Sequence, residues 1–308
     1  MSKIQGLIAA AFTPFKEDGS VNFEMIPELV EKLVQDGLQG AFVCGSNGEG
    51  PNMTTAERIQ VSEAFIKSAA KRIKIIVHVG HSSIQEARTL AAHAERAGAD
   101  AVSSVAAFYF KPTSVSNLAA AIAAIAEAAP STPFYYYHIP QLTGIAMDMI
   151  EFMNKAQTLI PNLAGIKYTA ASINEFQLCL RYQHRKFDIL YGYDELLLPA
   201  LSVGAVSAIG STYTFAAPCY LKTIDLFNSG NFRAAEENHS FMVEAIKIFA
   251  AYPPIPAQKA IMTMLGWDMG PSRLPLQTLS KADFDTLYDS LRSISFFDKV
   301  PVRQTHKV

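Results

Sequence analysis

The chain has 308 residues, half of them hydrophobic, which is enough for one barrel-sized domain or two smaller ones. Its 26 Lys and Arg against 28 Asp and Glu leave a net charge of −2 and a pI near 6.4, and the basic residues are scattered, so nothing marks a nucleic-acid-binding surface. Three widely separated cysteines, Cys44, Cys179 and Cys219, form no CxxC pair, which argues against a disulfide framework or a zinc site and for a reducing cytoplasm.

The N-terminal "MSKIQGLIAAAFTPF" puts one lysine ahead of a short apolar run, but the turn-like "TPFKEDGS" follows where a signal peptide needs a small-residue cleavage site. A first core strand is predicted instead. From there apolar β-type runs alternate with helical patterns, the signature of parallel βα units. The runs are "GLIAAAFTP" from Gly6, "GAFVCGS" from Gly40, "KIIVHVG" from Lys74, "AVSSVAA" from Ala101, "PFYYYHI" from Pro133, "LAGIKYT" from Leu163, "DILYGY" from Asp188 and "AVSAIGS" from Ala205. Between them, "TTAERIQVSEAFIKSAA" opens with Thr54 as N-cap and Glu57 at capping-box spacing, and "SIQEARTLAAHAERAG" runs from Ser83 to a terminal Gly98. The longest apolar window, "LAAAIAAIAEAA" from Leu118, is shorter than the ~20 residues a bilayer requires and contains Glu127, so it reads as a buried helix.

Eight such units predict an α/β fold, a (β/α)8 TIM barrel over residues 1–229 that carries the active site. Residues 230–308 then form a C-terminal helical extension packed on the barrel, including "NFRAAEENHSFMVEAIKIFAAY" and the stretch from Ala282 to Ser293. A doubly wound open sheet is the rival, since alternation alone does not separate the two. No GxGxxG or GxxxxGK[ST] follows any strand, which removes its commonest nucleotide-binding forms, and no cofactor is expected.

In a barrel of this type the chemistry sits at the carboxyl ends of the strands. Unusual polar residues gather there: Thr13 after the first strand, Ser46 and Asn47 after the second, Tyr137 on the fifth, Lys167 and Thr169 on the sixth, Asp194 and Glu195 after the seventh, Ser211 and Thr212 after the eighth. Lys167 alternates with Gly165 and Thr169 on one strand face, while Ala164, Ile166 and Tyr168 share the other, so the lysine points inward. An unpaired ammonium taken out of water is costly, so such a lysine sheds its proton, finds a carboxylate or snorkels to the rim. A desolvated amine is also the nucleophile that a Schiff base with a ketone requires.

Tyr137 shares its face with Tyr135. Tyrosines in such a run mostly serve packing, but one beside an inward lysine is a candidate proton carrier. "GSNGEG", Gly45 to Gly50, offers backbone amides that can converge on an anion, although glycine-rich turns after strands commonly bind nothing. "GYDE" provides two acids, either a solvated loop or the paired acceptors that a polyhydroxylated ligand needs. His78 and His81 in "HVGH" invite a metal reading, but no third ligand lies nearby and hydrogen-bonded scaffold is the preferred assignment.

"GSNGEG", "YYYHIP", "GIKYTA", "GYDE" and "IGSTY", in this order, resemble the N-acetylneuraminate lyase branch of the pyruvate-dependent class I aldolase family that also holds dihydrodipicolinate synthase. The resemblance spans the barrel from "AAFTPF" to "IGSTY". It implies that Lys167 forms the Schiff base, that Tyr137 moves a proton to or from the reacting hydroxyl, and that Ser46 and Asn47 hold the pyruvoyl carboxylate. Thr169, Gly192, Asp194, Glu195 and Ser211 would bind the hydroxylated tail of the sugar. It further implies a homotetramer and small-molecule substrates, pyruvate and a sialic acid, with no nucleic-acid or membrane partner. Dihydrodipicolinate synthases carry an arginine two residues after the Y-x-x-P proline, where this chain has Leu142, so the resemblance points to a neutral polyol tail in place of a second carboxylate. Asn47 stands where the family usually has threonine, and Ala106 and Ala107 replace its usual Thr-Pro near Tyr109.

Two other readings share much of this pattern. One is a different pyruvate-dependent aldolase, acting on a 2-keto-3-deoxy sugar acid or resembling dihydrodipicolinate synthase. The other is a non-catalytic barrel that binds a keto acid or sialic acid, for which a buried nucleophile would have no use.

Overall fold

The computed structural model describes residues 3–303; Met1, Ser2 and 304–308, the outer ends of the two predicted segments, lie outside the described residues. Eight parallel strands form in the predicted places: β1 (Gly6–Ala10), β2 (Gly40–Val43), β3 (Lys74–His78), β4 (Ala101–Ser104), β5 (Phe134–His138), β6 (Leu163–Tyr168), β7 (Asp188–Tyr191) and β8 (Ser207–Gly210). Each pairs with the next, and β8 returns to β1, so the sheet closes into a barrel.

The connecting helices are α1 (Met25–Gln35), α2 (Thr55–Ala69), α3 (Ile84–Arg96), α4 (Val115–Ala126), α5 (Met149–Leu159), α6 (Ile173–Arg181), α7 (Leu197–Ser202) and α8 (Tyr213–Asn228). Their starts are written in the sequence. Thr54, Ser83, Ser114, Asp148 and Ser172 each accept the amide hydrogen three residues on, and Glu57 completes a capping box with Thr54. A cap of this kind stabilises a helix by about 1 kcal/mol. One face of α4, with Leu118, Ala119, Ile122 and Ile125, is buried, and no helix among the described residues is long and apolar enough to cross a membrane.

Two apolar clusters follow from the alternation of each strand. Ile8, Phe42, Ile76, Tyr135, Tyr137, Leu190 and Ile209 fill the barrel interior, while Ile166, Tyr168 and their counterparts face the helices. Ala164 departs from the predicted pattern: it packs against the interior cluster, because the β5–β6 register slips between Phe134 and Tyr135, opposite Leu163 and Gly165. Gly165 fits this irregularity, since a Cβ there would lie 1.8 Å from the Asp188 carbonyl oxygen.

The extension consists mainly of α9 (Phe232–Phe249), α10 (Pro254–Met264) and α11 (Lys281–Ser293). Met242, Phe249, Ile261 and Leu287 belong to the same apolar cluster as the outward faces of the strands, so the extension shares the barrel's core. The end of α9 and the start of α10 are thereby set over the carboxyl ends of the strands. Cys44, Cys179 and Cys219 are free and buried.

Candidate active site

A cavity of about 410 Å³ lies at the carboxyl ends of the strands. Every predicted site residue lines it: Ser46, Asn47, Tyr137, Lys167, Thr169, Gly192, Asp194, Glu195 and Ser211. Thr13 does not; its Oγ1 donates to the Gly48 carbonyl at 2.7 Å and so fixes the loop after β2.

Lys167 sits between its register partners Tyr137 on β5 and Leu190 on β7. It is 4% exposed, and its Nζ lies 4.0 Å from the Tyr137 ring centroid and 4.1 Å from that of Phe42. Aromatic faces, rather than a carboxylate, are thus its nearest surroundings. Cation–π contact is worth roughly 0.5–2 kcal/mol, which anchors the side chain while leaving the nitrogen free to bond an incoming carbon. Tyr137 is fixed by edge contacts to Phe42 and His78, at 5.4 and 5.8 Å between centroids.

His78 and His81 act as scaffold. Buried His78 has its Nδ1 3.1 Å from the Cys44 carbonyl and accepts the Val105 amide hydrogen at Nε2, while burial and nearby Arg58 push its pKa well below the ordinary histidine value. The two contacts suit a ring that donates from Nδ1 and accepts at Nε2. His81 Nδ1 accepts from the Ser83 amide at 2.9 Å, at the start of α3. Among the described residues no group of three or more His, Cys, Asp or Glu could hold a metal.

The "GSNGEG" loop is held from both sides. Gly50 donates its amide hydrogen to the Gly45 carbonyl at 3.0 Å, and a Cβ at Gly50 would lie 1.9 Å from the Cys44 carbonyl oxygen. Glu49 adopts a left-handed backbone conformation, φ 51°, and buries its carboxylate. There Oε1 lies 2.8 Å from Lys259 Nζ on α10, and Oε2 accepts the Arg273 amide at 2.9 Å. Ser46 and Asn47 remain half-buried at the cavity wall.

Across the cavity, Gly192 permits the close approach of Thr169: a Cβ on Gly192 would stand 2.0 Å from Thr169 Oγ1. That hydroxyl is buried and has no hydrogen-bond partner among the described residues. Asp194 is more constrained than its place in "GYDE" suggests. Its Oδ2 accepts from the Thr212 amide and hydroxyl at 2.8 and 2.7 Å, and its main-chain carbonyl lies 3.2 Å from His239 Nε2. Burial raises the Asp194 pKa, and the Thr212 bonds and the charge of Lys167 oppose that rise. Glu195, half-buried, is pushed up by burial and by Asp194 beside it.

The cavity also contains residues that no strand-end rule selects. Tyr193 lies within "GYDE", and Gln141 precedes Leu142, which is 66% exposed at the mouth. Ile246, Phe249, Pro254 and Gln258 come from the extension. Tyr109 stands outside, 76% exposed and edge-on to Phe110.

A closed (β/α)8 barrel with Lys167 and Tyr137 facing a cavity at the carboxyl ends of its strands is the architecture of a barrel enzyme. Residues 3–294 match the Dihydrodipicolinate synthetase family, and the chain belongs to it. The chain is 38% identical over 298 residues to an N-acetylneuraminate lyase of Sus scrofa, covering 95% of this chain and 93% of that protein. Among solved structures, the N-acetylneuraminate lyase (sialic acid aldolase) of Aliivibrio salmonicida superposes with a TM-score of 0.93 at 39% identity, covering 96% of this chain and 99% of that one. That of Proteus mirabilis gives 0.93 at 36% identity, with 96% and 100% covered.

Proposed function

We propose that the protein is a Schiff-base aldolase that cleaves N-acetylneuraminate reversibly to pyruvate and N-acetylmannosamine. The observation that carries this reading is the Lys167–Tyr137 pair, adjacent on β5 and β6, with Ser46 and Asn47 in the same cavity as Thr169, Gly192, Glu195 and Ser211. The similarity to proteins named N-acetylneuraminate lyase supports the choice of substrate.

The chemistry follows from the parts. Lys167 Nζ adds to the C2 carbonyl of the open-chain sugar acid, and loss of water gives a protonated imine. Tyr137 relays the C4 hydroxyl proton, its phenol oxygen accepting that proton as its own phenolic proton passes to solvent in the open cavity, while C4 becomes a carbonyl and the C3–C4 bond breaks, the bond's electrons moving into the imine to form an enamine. N-acetylmannosamine leaves, C3 is protonated, and water releases pyruvate and the free lysine. The proton lost from the C4 hydroxyl is balanced by the one gained at C3.

Ser46 and Asn47 bind the C1 carboxylate through a hydroxyl and an amide. Thr169, Gly192, Glu195 and Ser211 meet the tail, and Asp194 does so through Oδ1, since Oδ2 is committed to Thr212. Among the described residues Lys167 is the single cationic side chain lining the cavity, and Leu142 supplies none, which favours a polyol tail over a second carboxylate. The chain works without a resident cofactor, because the imine supplies the electrophile. We read residues 1–229 as the catalytic barrel and 230–308 as the extension that roofs its site. A cytoplasmic homotetramer accords with the family resemblance and with three buried, unpaired thiols.

The test is pyruvate release from a panel of N-acetylneuraminate and several 2-keto-3-deoxy sugar acids, run on the parent and on Glu195→Gln. The parent should prefer N-acetylneuraminate. The variant should lose about tenfold to a hundredfold in kcat/KM on it, the worth of a charge-assisted hydrogen bond. A parent that prefers a short keto-deoxy acid, and a variant that matches it, would remove the sialic acid assignment.

A further inference from the structure

The short helical turn Asp194–Leu196, which brings Glu195 to the cavity, is held by hydrogen bonds that lead away from it to Tyr220 and His239, neither of which lines the cavity. Asp194 Oδ2 takes the Thr212 amide and hydroxyl hydrogens at 2.8 and 2.7 Å, and Ser211 Oγ stands 3.5 Å away. A hydroxyl has one hydrogen; with the carboxylate taking that of Thr212, Tyr220 on α8 donates its own to Thr212 Oγ1 at 2.8 Å. From the extension, His239 on α9 meets the Asp194 carbonyl oxygen at 3.2 Å through Nε2. We infer that Tyr220 and His239 are positioning residues for the sugar tail, fixing the turn through the side chain and the main chain of Asp194 so that Glu195 stands where the tail hydroxyls arrive. This rests on the aldolase reading above.

The packing suits that role. Tyr220 is fully buried and His239 is 4% exposed. The Tyr220 ring lies edge-on to those of Tyr213 and His239, at 4.7 and 6.3 Å between centroids, so α8 and α9 meet behind the turn. Gly210, at the end of β8, completes the fit: a Cβ there would lie 1.9 Å from Asp194 Oδ1. The carboxylate is thereby confined between Thr212 and Gly210 before substrate arrives.

Glu195 depends on this arrangement. No side chain among the described residues is hydrogen-bonded to its carboxylate, so its place is set by its backbone, and its backbone by Asp194. Tyr137, Lys167, Ser46 and Asn47 belong instead to β5, β6 and the loop after β2, which these bonds do not touch. Loosening the turn therefore affects the tail and spares imine formation.

The experiment measures the KM for N-acetylmannosamine in the synthetic direction, at saturating pyruvate, for the parent, Tyr220→Phe, His239→Leu and His239→Gln, each with and without Glu195→Gln. Tyr220→Phe loses one oxygen and keeps both ring contacts; it and His239→Leu should each raise that KM roughly threefold to tenfold, the worth of a neutral hydrogen bond. His239→Gln can still donate to the carbonyl and should stay within about twofold of the parent. The pyruvate concentration that half-saturates borohydride inactivation should not change in any of them. On the Glu195→Gln background the same changes should add no more than about twofold, because the group they position is already altered, whereas a merely structural role would add in full. If the leucine variant fails to fold, Tyr220→Phe decides alone. A sugar KM equal to that of the parent in Tyr220→Phe would overturn the inference, as would a rise of the same size on the Glu195→Gln background or one shared by the pyruvate half-saturation. A parent that borohydride and pyruvate leave unlabelled would overturn the aldolase reading itself, and this inference with it.

Discussion

Lys167→Met is expected to abolish cleavage of N-acetylneuraminate, with kcat falling on the order of 10⁴-fold or more, while the protein keeps its fold. The reaction needs an electron sink at C2, and among the described residues no other side chain in the cavity is an amine. Methionine is the informative replacement because it fills a similar volume between the Phe42 and Tyr137 rings, where alanine would leave a gap costing about 2–5 kcal/mol if it stayed empty. Pyruvate should no longer become covalently trappable. The check is a turnover assay together with thermal denaturation: a folded methionine variant retaining more than about a hundredth of parent kcat would move the nucleophile elsewhere.

Tyr137→Phe should lower kcat by at least ~10²-fold, the usual effect of losing a general acid or base, while pyruvate still forms a trappable imine. Phenylalanine keeps the edge contacts to Phe42 and His78, so the ring beside Lys167 stays in place and only the hydroxyl is lost. The separation of trapping from turnover is what identifies a proton carrier. If the variant cleaves substrate at nearly the parent rate, the C4 proton travels through the substrate carboxylate or a water instead.

The eight strands were legible because a parallel barrel requires apolar runs of fixed period, and two helix starts because Thr54 and Ser83 satisfy amides that only a cap can reach. Lys167 could be placed inward from the alternation of its own strand. The same alternation put Ala164 on the wrong face, because the irregularity belongs to the pairing with β5, and its one trace in the β6 sequence, Gly165, does not say which neighbour turns inward.

Residues whose roles come from distant contacts were not legible. Glu49 reads as part of a glycine-rich turn, yet its burial against Lys259 and the Arg273 amide makes it the tie between the loop and the extension. Removing one partner of such a buried pair costs roughly 3–5 kcal/mol. Asp194 looked like a free acceptor until Thr212 claimed its Oδ2. Gln258 lies beyond the barrel in a helix buried on every side from Pro256 to Met262, and only the docking of α10 over the strand ends brings it to the cavity.

The central claim is that Lys167 carries the substrate as an imine, and the most direct test is reduction of that imine in place. The protein is incubated with pyruvate and borohydride, digested, and its peptides weighed. Irreversible inactivation with one pyruvate-derived mass on the peptide containing Lys167 is the predicted result. An added mass on another peptide, or no added mass on protein shown to be active, would contradict it.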